Sequence, residues 1–220
     1  MWTLALIVLS AAPLEQAQAL EDQGDDGAAV KVLEAAVASD PLWAIGRVEL
    51  GRLQLKQGLD AALHHLDVAR SLASENPRAH YLYALAADEA GKRNECRRAL
   101  EVALALREGY ADAQVRLASV LMAEGEYSDA AKLLKAWATA HPEASGVKLQ
   151  LADALERSGQ KQAAEHELRS LLTLPGLKQL AGRKLVALLE AQGKTAEAHR
   201  VREAIEPPKR KLRELQPSRR

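Results

Sequence analysis

The chain carries six histidines, at positions 64, 65, 80, 141, 166 and 199, and one cysteine, Cys96. A helical zinc site wants ligands of fixed type at short, repeated spacing. No histidine here joins another His, Asp or Glu in a recognisable zinc motif. His64 and His65 are adjacent, so on a helix they point about 100° apart and read as two surface or groove side chains. A cysteine nucleophile needs a neighbouring base and an opened pocket. Cys96 instead takes a place that other stretches of the chain give to alanine, which reads as a small buried residue. There is no Gly-rich phosphate loop and no nucleophile elbow. The residues therefore predict no catalytic group, no metal and no cofactor.

What remains is the chemistry of contact, and the elements that would present it repeat. Gly24, Gly58, Gly91, Gly125, Gly159 and Gly193 follow one another at steps of 33 or 34 residues. That period belongs to helix-turn-helix units that stack side by side. Seven residues before each glycine stands Ala17, Gly51, Ala84, Ala118, Ala152 or Val186; four before it stands Leu20, Gln54, Ala87, Leu121, Leu155 or Leu189. These offsets share one helical face. Five after the glycine comes Ala29, Cys96, Ala130, Ala164 or Ala198, and nine after comes Leu33, Leu100, Leu134 or Leu168. The second unit is one residue short here, so Ala62 and Leu66 take these places. The glycine closes a first helix where a left-handed backbone penalises a Cβ. The small residues let two axes approach, and leucine fills the gap between them. Pro41, Pro77 and Pro142 close units, with Glu108 in that place once.

The pattern predicts helix pairs over residues 14–23 and 27–38, 44–57 and 60–73, 77–90 and 94–107, 111–124 and 128–140, and 145–158 and 161–173. Pro175-Gly176 then breaks the chain before a last pair over 177–192 and 195–205. The Leu-small pairs (Leu50-Gly51, Leu117-Ala118, Leu151-Ala152), the turn glycine, the second-helix alanine and the leucine four beyond it resemble the tetratricopeptide repeat family over residues 13–206. The chain departs from that family in the first-helix tryptophan, where Arg47, His80, Gln114, Lys148 and Gly182 stand, and in having no Phe. The resemblance implies an all-α fold, a right-handed α-solenoid of about six helix-turn-helix repeats.

It also implies a site. In that family the first helices line a concave groove, through residues ten, six and three before each glycine. Those positions here are Val48, Arg52 and Leu55, then Tyr81, Leu85 and Asp88, then Val115, Ser119 and Met122, then Leu149, Asp153 and Glu156. The centre is apolar and suits an amphipathic helix or an extended segment. Some relatives clamp a C-terminal carboxylate with Lys and Asn; Val48, Arg52, Tyr81 and Leu85 occupy those places, so that ligand is not expected. The expected partner is a protein or peptide. The alternative is self-association through an uncapped last repeat, with Ala198, Val201 and Ile205 half bare.

Lys+Arg and Asp+Glu number 30 each, so the net charge is zero, and only three Trp and four Tyr are present. A nucleic-acid partner would want a basic stripe or stacking platforms, and is not expected. Residues 1–12 form an apolar run too short to span a bilayer, followed by an Ala-x-Ala site at Ala17-Gln18-Ala19. They read as the core of an export signal, which would make the protein periplasmic or secreted, in a bacterial envelope complex. The alternatives are an uncleaved anchor, or a helix packed at the start of the stack in a cytoplasmic protein. Residues 207–220 are basic and read as a disordered tail. Membrane contact is expected only through that tail or the N-terminal run.

Overall fold

The turn glycines behave as the spacing demands. Gly24, Gly58, Gly91, Gly125, Gly159 and Gly193 all have positive φ, between 66° and 84°. In five of the six units the residue after the glycine donates its N–H to the carbonyl five residues back. These bonds are Asp25 to Leu20, Lys92 to Ala87, Glu126 to Leu121, Gln160 to Leu155 and Lys194 to Leu189, at 2.7–2.9 Å. This is the Schellman closure, which satisfies a helix-end carbonyl that would otherwise lack a partner. The residue that accepts is the one four before the glycine, so the side chain packed between the helices and the bond that ends the helix belong to one residue. A seventh glycine, Gly109, also has positive φ. It turns the chain after α6, where Glu108 stands in place of a closing proline.

The computed structural model describes residues 2–58 and 60–206, with side chains from residue 12 onward. The described residues form twelve helices and no strand. They are α1 (Trp2–Asp22), α2 (Asp26–Ser39), α3 (Ala44–Lys56), α4 (Ala61–Leu72), α5 (Pro77–Glu89), α6 (Arg93–Leu106), α7 (Ala111–Glu124), α8 (Tyr127–Ala140), α9 (Ser145–Arg157), α10 (Lys161–Leu171), α11 (Pro175–Ala191) and α12 (Thr195–Ile205). The fold is all-α and built of consecutive pairs. Most bounds lie within one or two residues of the pattern. Two differ for a reason. Pro175 opens α11 instead of breaking the chain, because a first-turn residue has no intrahelical N–H bond to lose. α1 runs unbroken from Trp2 through Pro13, so the apolar run and the first predicted helix are one element. Among the described residues no helix is long and apolar enough to cross a membrane. The basic tail, 207–220, lies outside the described residues.

The chain forms two compact units, Met1–Val120 and Leu121–Arg220. In the first, helices α1 to α6 each pack on the next, and α3 also packs on α5. Its N-terminal core joins Ala17, Ala29, Leu33, Leu50 and Leu53, with Leu14, Leu20 and Trp43 against them. Ala62 and Leu66 are buried, so the one-residue deletion is absorbed in the turn and not in the core. In the second unit, helices α8 to α12 pack in sequence and α9 touches α11. Leu134, Leu151, Leu168, Leu185 and Leu189 are its fully buried side chains at the repeated offsets. Burying a leucine contributes about 1.5–3 kcal/mol, so each added pair is stabilised chiefly through these residues.

Three of the tryptophan replacements share one task. Arg47 Nε donates to Pro41 O at 2.8 Å, His80 Nε2 to Ser74 O at 2.8 Å and Lys148 Nζ to Pro142 O at 2.7 Å. Each reaches six residues back and ties down the junction that precedes its own helix. At the sixth unit Gly182 leaves the room that Ile205 fills: a Cβ there would meet Ile205 Cγ2 at 2.5 Å. The last repeat is not left bare. Ala198, Val201 and Ile205 are all buried, and Gln179 Nε2 donates to Ile205 O at 2.9 Å. The remaining face of α12 presents His199, Arg200, Arg202 and Glu203, so α12 caps its own unit.

Two helices approach closely at Gly51, where a Cβ would lie 2.4 Å from Leu66 Cγ. Gly51→Ala is expected to lose about 1–2 kcal/mol of stability to overpacking. Gly146, in the first turn of α9, has nothing within 4 Å of an added Cβ. Gly146→Ala is expected to gain about 0.4–1 kcal/mol. Urea denaturation of both variants checks the pair of opposite signs.

Candidate binding groove

In the first unit α3, α5 and the start of α7 are successive first helices, and ion pairs bridge them. Arg78 NH1 on α5 meets Glu49 Oε1 on α3 at 2.5 Å, and Arg116 on α7 meets Asp88 on α5 at 3.6 Å. Between these bridges the helices leave Leu55, Tyr81, Leu85 and Val115 half-buried, neither spent in the core nor fully bare. The Tyr81 ring lies 5.1 Å from that of Tyr110, which has the Arg107 guanidinium 5.2 Å from its centroid. Burial raises the Tyr81 phenol above its ordinary value, so near neutral pH it is a hydrogen-bond donor. Ser119 is exposed and its hydroxyl donates to Val115 O within α7.

Two expected groove residues have other work. Val48 is only 3% exposed and is a core residue, since the position ten before Gly58 faces inward at this point of α3. Arg52 is held by both of its neighbours: it forks onto Glu21 of α1, at 3.0 and 2.5 Å, and reaches Glu49 at 2.8 Å. The Arg52 hydrogen bond, against an opposing effect of burial, holds the Glu21 carboxyl below its ordinary value of 4.5. Lys56 continues the chain of charge to Asp26 of α2 at 2.8 Å. Arg52 is therefore a tie between helices before it is a ligand contact.

In the second unit Met122, Leu149, Asp153 and Glu156 are half-buried. Asp153 is engaged like Arg52, accepting from Lys184 of α11 at 3.3 Å and pairing with Arg157 at 3.3 Å. On other faces of the same unit Glu165 pairs with Lys194 and Arg169, and the Lys194 bond above all lowers its carboxyl.

Sequence reasoning missed a cavity of the first unit. It has a volume of about 630 Å³ and is walled by α1, α2 and α3, with Arg78 from α5. Leu14, Ile45 and Leu53 give it apolar walls; Glu15, Glu21, Glu49 and Arg52 give it charge. The family positions were carried only from the second repeat onward, so α1 supplied no candidate. Ile45, one of the cavity's apolar lining residues, is 58% exposed. A smaller cavity, about 210 Å³, lies beside Tyr83, Glu95, Arg98 and Val102. There the Tyr83 hydroxyl donates to the Glu95 carboxylate, and burial first, then that bond, pushes the phenol up to about 12.

Cys96 is fully buried at its alanine position. His64 and His65 lie edge to face with centroids 5.5 Å apart, and Arg47 NH1 is 3.2 Å from His65 Nδ1. Burial, then the Arg47 charge, lowers His65, which keeps it neutral beside that cation. Among the described residues no group of three His, Cys, Asp or Glu is placed to hold a metal ion.

Residues 121–173 match the family model described as tetratricopeptide repeat. The crystal structure of MamA is similar at 21% identity, with a TM-score of 0.69, over 77% of this chain and 93% of that one. A tetratricopeptide repeat protein from Parabacteroides merdae is similar at 20% identity and a TM-score of 0.69, over 90% and 81% of the two chains. YrrB, described as a TPR protein with an unusual peptide-binding site, is similar at 17% identity and a TM-score of 0.73, over 80% and 92%. None of the curated proteins matches the chain.

Removing the Arg52 side chain tests its role as a tie. Arg52→Ala is expected to cost about 1 kcal/mol near neutral pH, as for a partly buried ion-pair network. Glu21 titrates lower folded than unfolded, so the stabilisation is present above the ordinary carboxylate value. It fades as pH falls through the lowered one. The gap between wild type and Arg52→Ala in thermal denaturation should therefore close as pH drops below 4.5.

Proposed function

We propose that this chain, a tetratricopeptide-repeat protein by its paired all-α architecture and by the match over residues 121–173, is a non-catalytic scaffold. It holds a peptide, a helix or a partner subunit on the face of its first helices. The observation that carries this reading is the row Leu55, Tyr81, Leu85 and Val115 on three successive first helices of one unit. Packing leaves these side chains partly open, and the bridging ion pairs fix the helices that carry them. A segment with apolar residues at helical spacing would bury them without disturbing either. The peptide-binding site named for YrrB lends support from a protein of similar fold.

For the compartment, the apolar run 1–12 supports export to a bacterial envelope. The burial of Ala17, with Leu14 beside it, supports a mature protein that keeps residues 13–22, since α2 would otherwise lose its partner. Intact mass of protein recovered from the periplasm should therefore include those residues; a mass starting at Leu20 would refute it.

Selection of peptides from a random display library on the immobilised full chain tests the groove. The expected result is enrichment of sequences with apolar residues three and four apart. Leu85→Asp should weaken the selected peptides about tenfold or more, as loss of a buried anchor does, with an unchanged far-UV spectrum. Equal enrichment on Leu85→Asp would refute the assignment.

A further inference from the structure

The neutral net charge conceals two opposite ends of the sequence. Residues 1–40 carry seven carboxylates against one cation, Lys31, while residues 207–220 carry six cations against one carboxylate, Glu214. The acidic stretch builds two walls of the 630 Å³ cavity. Most of the charge around it is spent internally: Arg52 on Glu21 and Glu49, Arg78 on Glu49, Lys56 on Asp26. Glu15 is the exception, a lining carboxylate with no ionic or hydrogen-bonded partner among the described residues. Beside it stand Leu14 and the 58% exposed Ile45. The cavity thus offers apolar wall and unspent negative charge together. The basic stretch has the opposite complement: Leu212 and Leu215 three apart, within Lys209, Arg210, Lys211 and Arg213.

We propose that residues 209–215 of one copy dock in the α1–α3 cavity of a second copy, leucines on Leu14 and Ile45, cations over Glu15. The occupant is assigned by complementarity: four cations and two leucines three apart face an unspent carboxylate and an apolar wall. The contact joins two different surfaces, so it closes into a reciprocal dimer or ring where the rotation allows and extends as a head-to-tail series where it does not. None of the row residues Leu55, Tyr81, Leu85 and Val115 lines this cavity, so Leu85→Asp leaves the contact intact. It also replaces self-association through an uncapped last repeat, whose apolar residues α11 covers.

Sedimentation velocity of the full-length chain tests this. The wild type should show association that grows with concentration and disappears at high salt, as expected for a charge-steered contact. Glu15→Lys with Ile45→Asp should abolish it, and so should Leu212→Asp with Leu215→Asp. Both groove side chains are solvent-accessible, so circular dichroism should be unchanged. Mixing the two double variants should restore one contact only, giving a one-to-one complex and nothing larger. A wild type that stays monomeric at every concentration overturns the proposal, as does association that persists in either variant or a mixture that fails to combine. If the leucine pair abolishes binding to phosphatidylserine vesicles while the groove pair leaves self-association unchanged, the segment serves a lipid surface and the proposal falls.

Discussion

Everything in this molecule depends on the turn that closes each first helix. A left-handed glycine lets the following N–H reach the carbonyl five residues back, and the residue that supplies that carbonyl also packs between the two helices. Helix end and interhelical contact are thus fixed by the same few atoms. With the turn set, the small residue seven before the glycine admits the second helix: Gly51 faces Leu66, and Ala17 shares a core with Ala29 and Leu33. A longer connection would let the pair slide, and the small-residue match would be lost with it.

Charge in this chain is spent on the same task. Arg52 and Asp153 stand at equivalent places, six residues before their glycines, and each pairs with a residue about one repeat length away on the neighbouring first helix. Lys194 and Glu165 do the same from second-helix and turn positions. The first-helix faces are therefore apolar where a ligand would sit and charged where one helix is tied to the next. An apolar contact surface carried on ion-paired supports is pre-ordered, which lowers the entropic cost of holding a partner.

The repeat was legible because it rests on residue types with little freedom: glycine at a positive φ, alanine at a close approach, leucine in a gap. Helix bounds followed within a residue or two. The terminal regions were less legible. Pro13 reads as a boundary yet lies inside α1, and Pro175 reads as a break yet begins α11, since proline's meaning depends on its place in a turn. The groove was legible as positions but not as roles. Offset alone cannot say that Val48 turns inward or that Arg52 is already claimed by Glu21. The substitutes for tryptophan looked like losses, but Arg47, His80 and Lys148 hold a carbonyl six residues back. No apolarity pattern reports that geometry.

Those three latches have a consequence for how the protein is made. Each is supplied by the helix that follows the junction it fastens, and the glycine closures and leucine contacts are equally near in sequence. Such a chain does not have to wait for distant segments before it can gain stability. A pair can settle soon after leaving the ribosome, with its own junction already secured, and then serve as the surface on which the next pair forms.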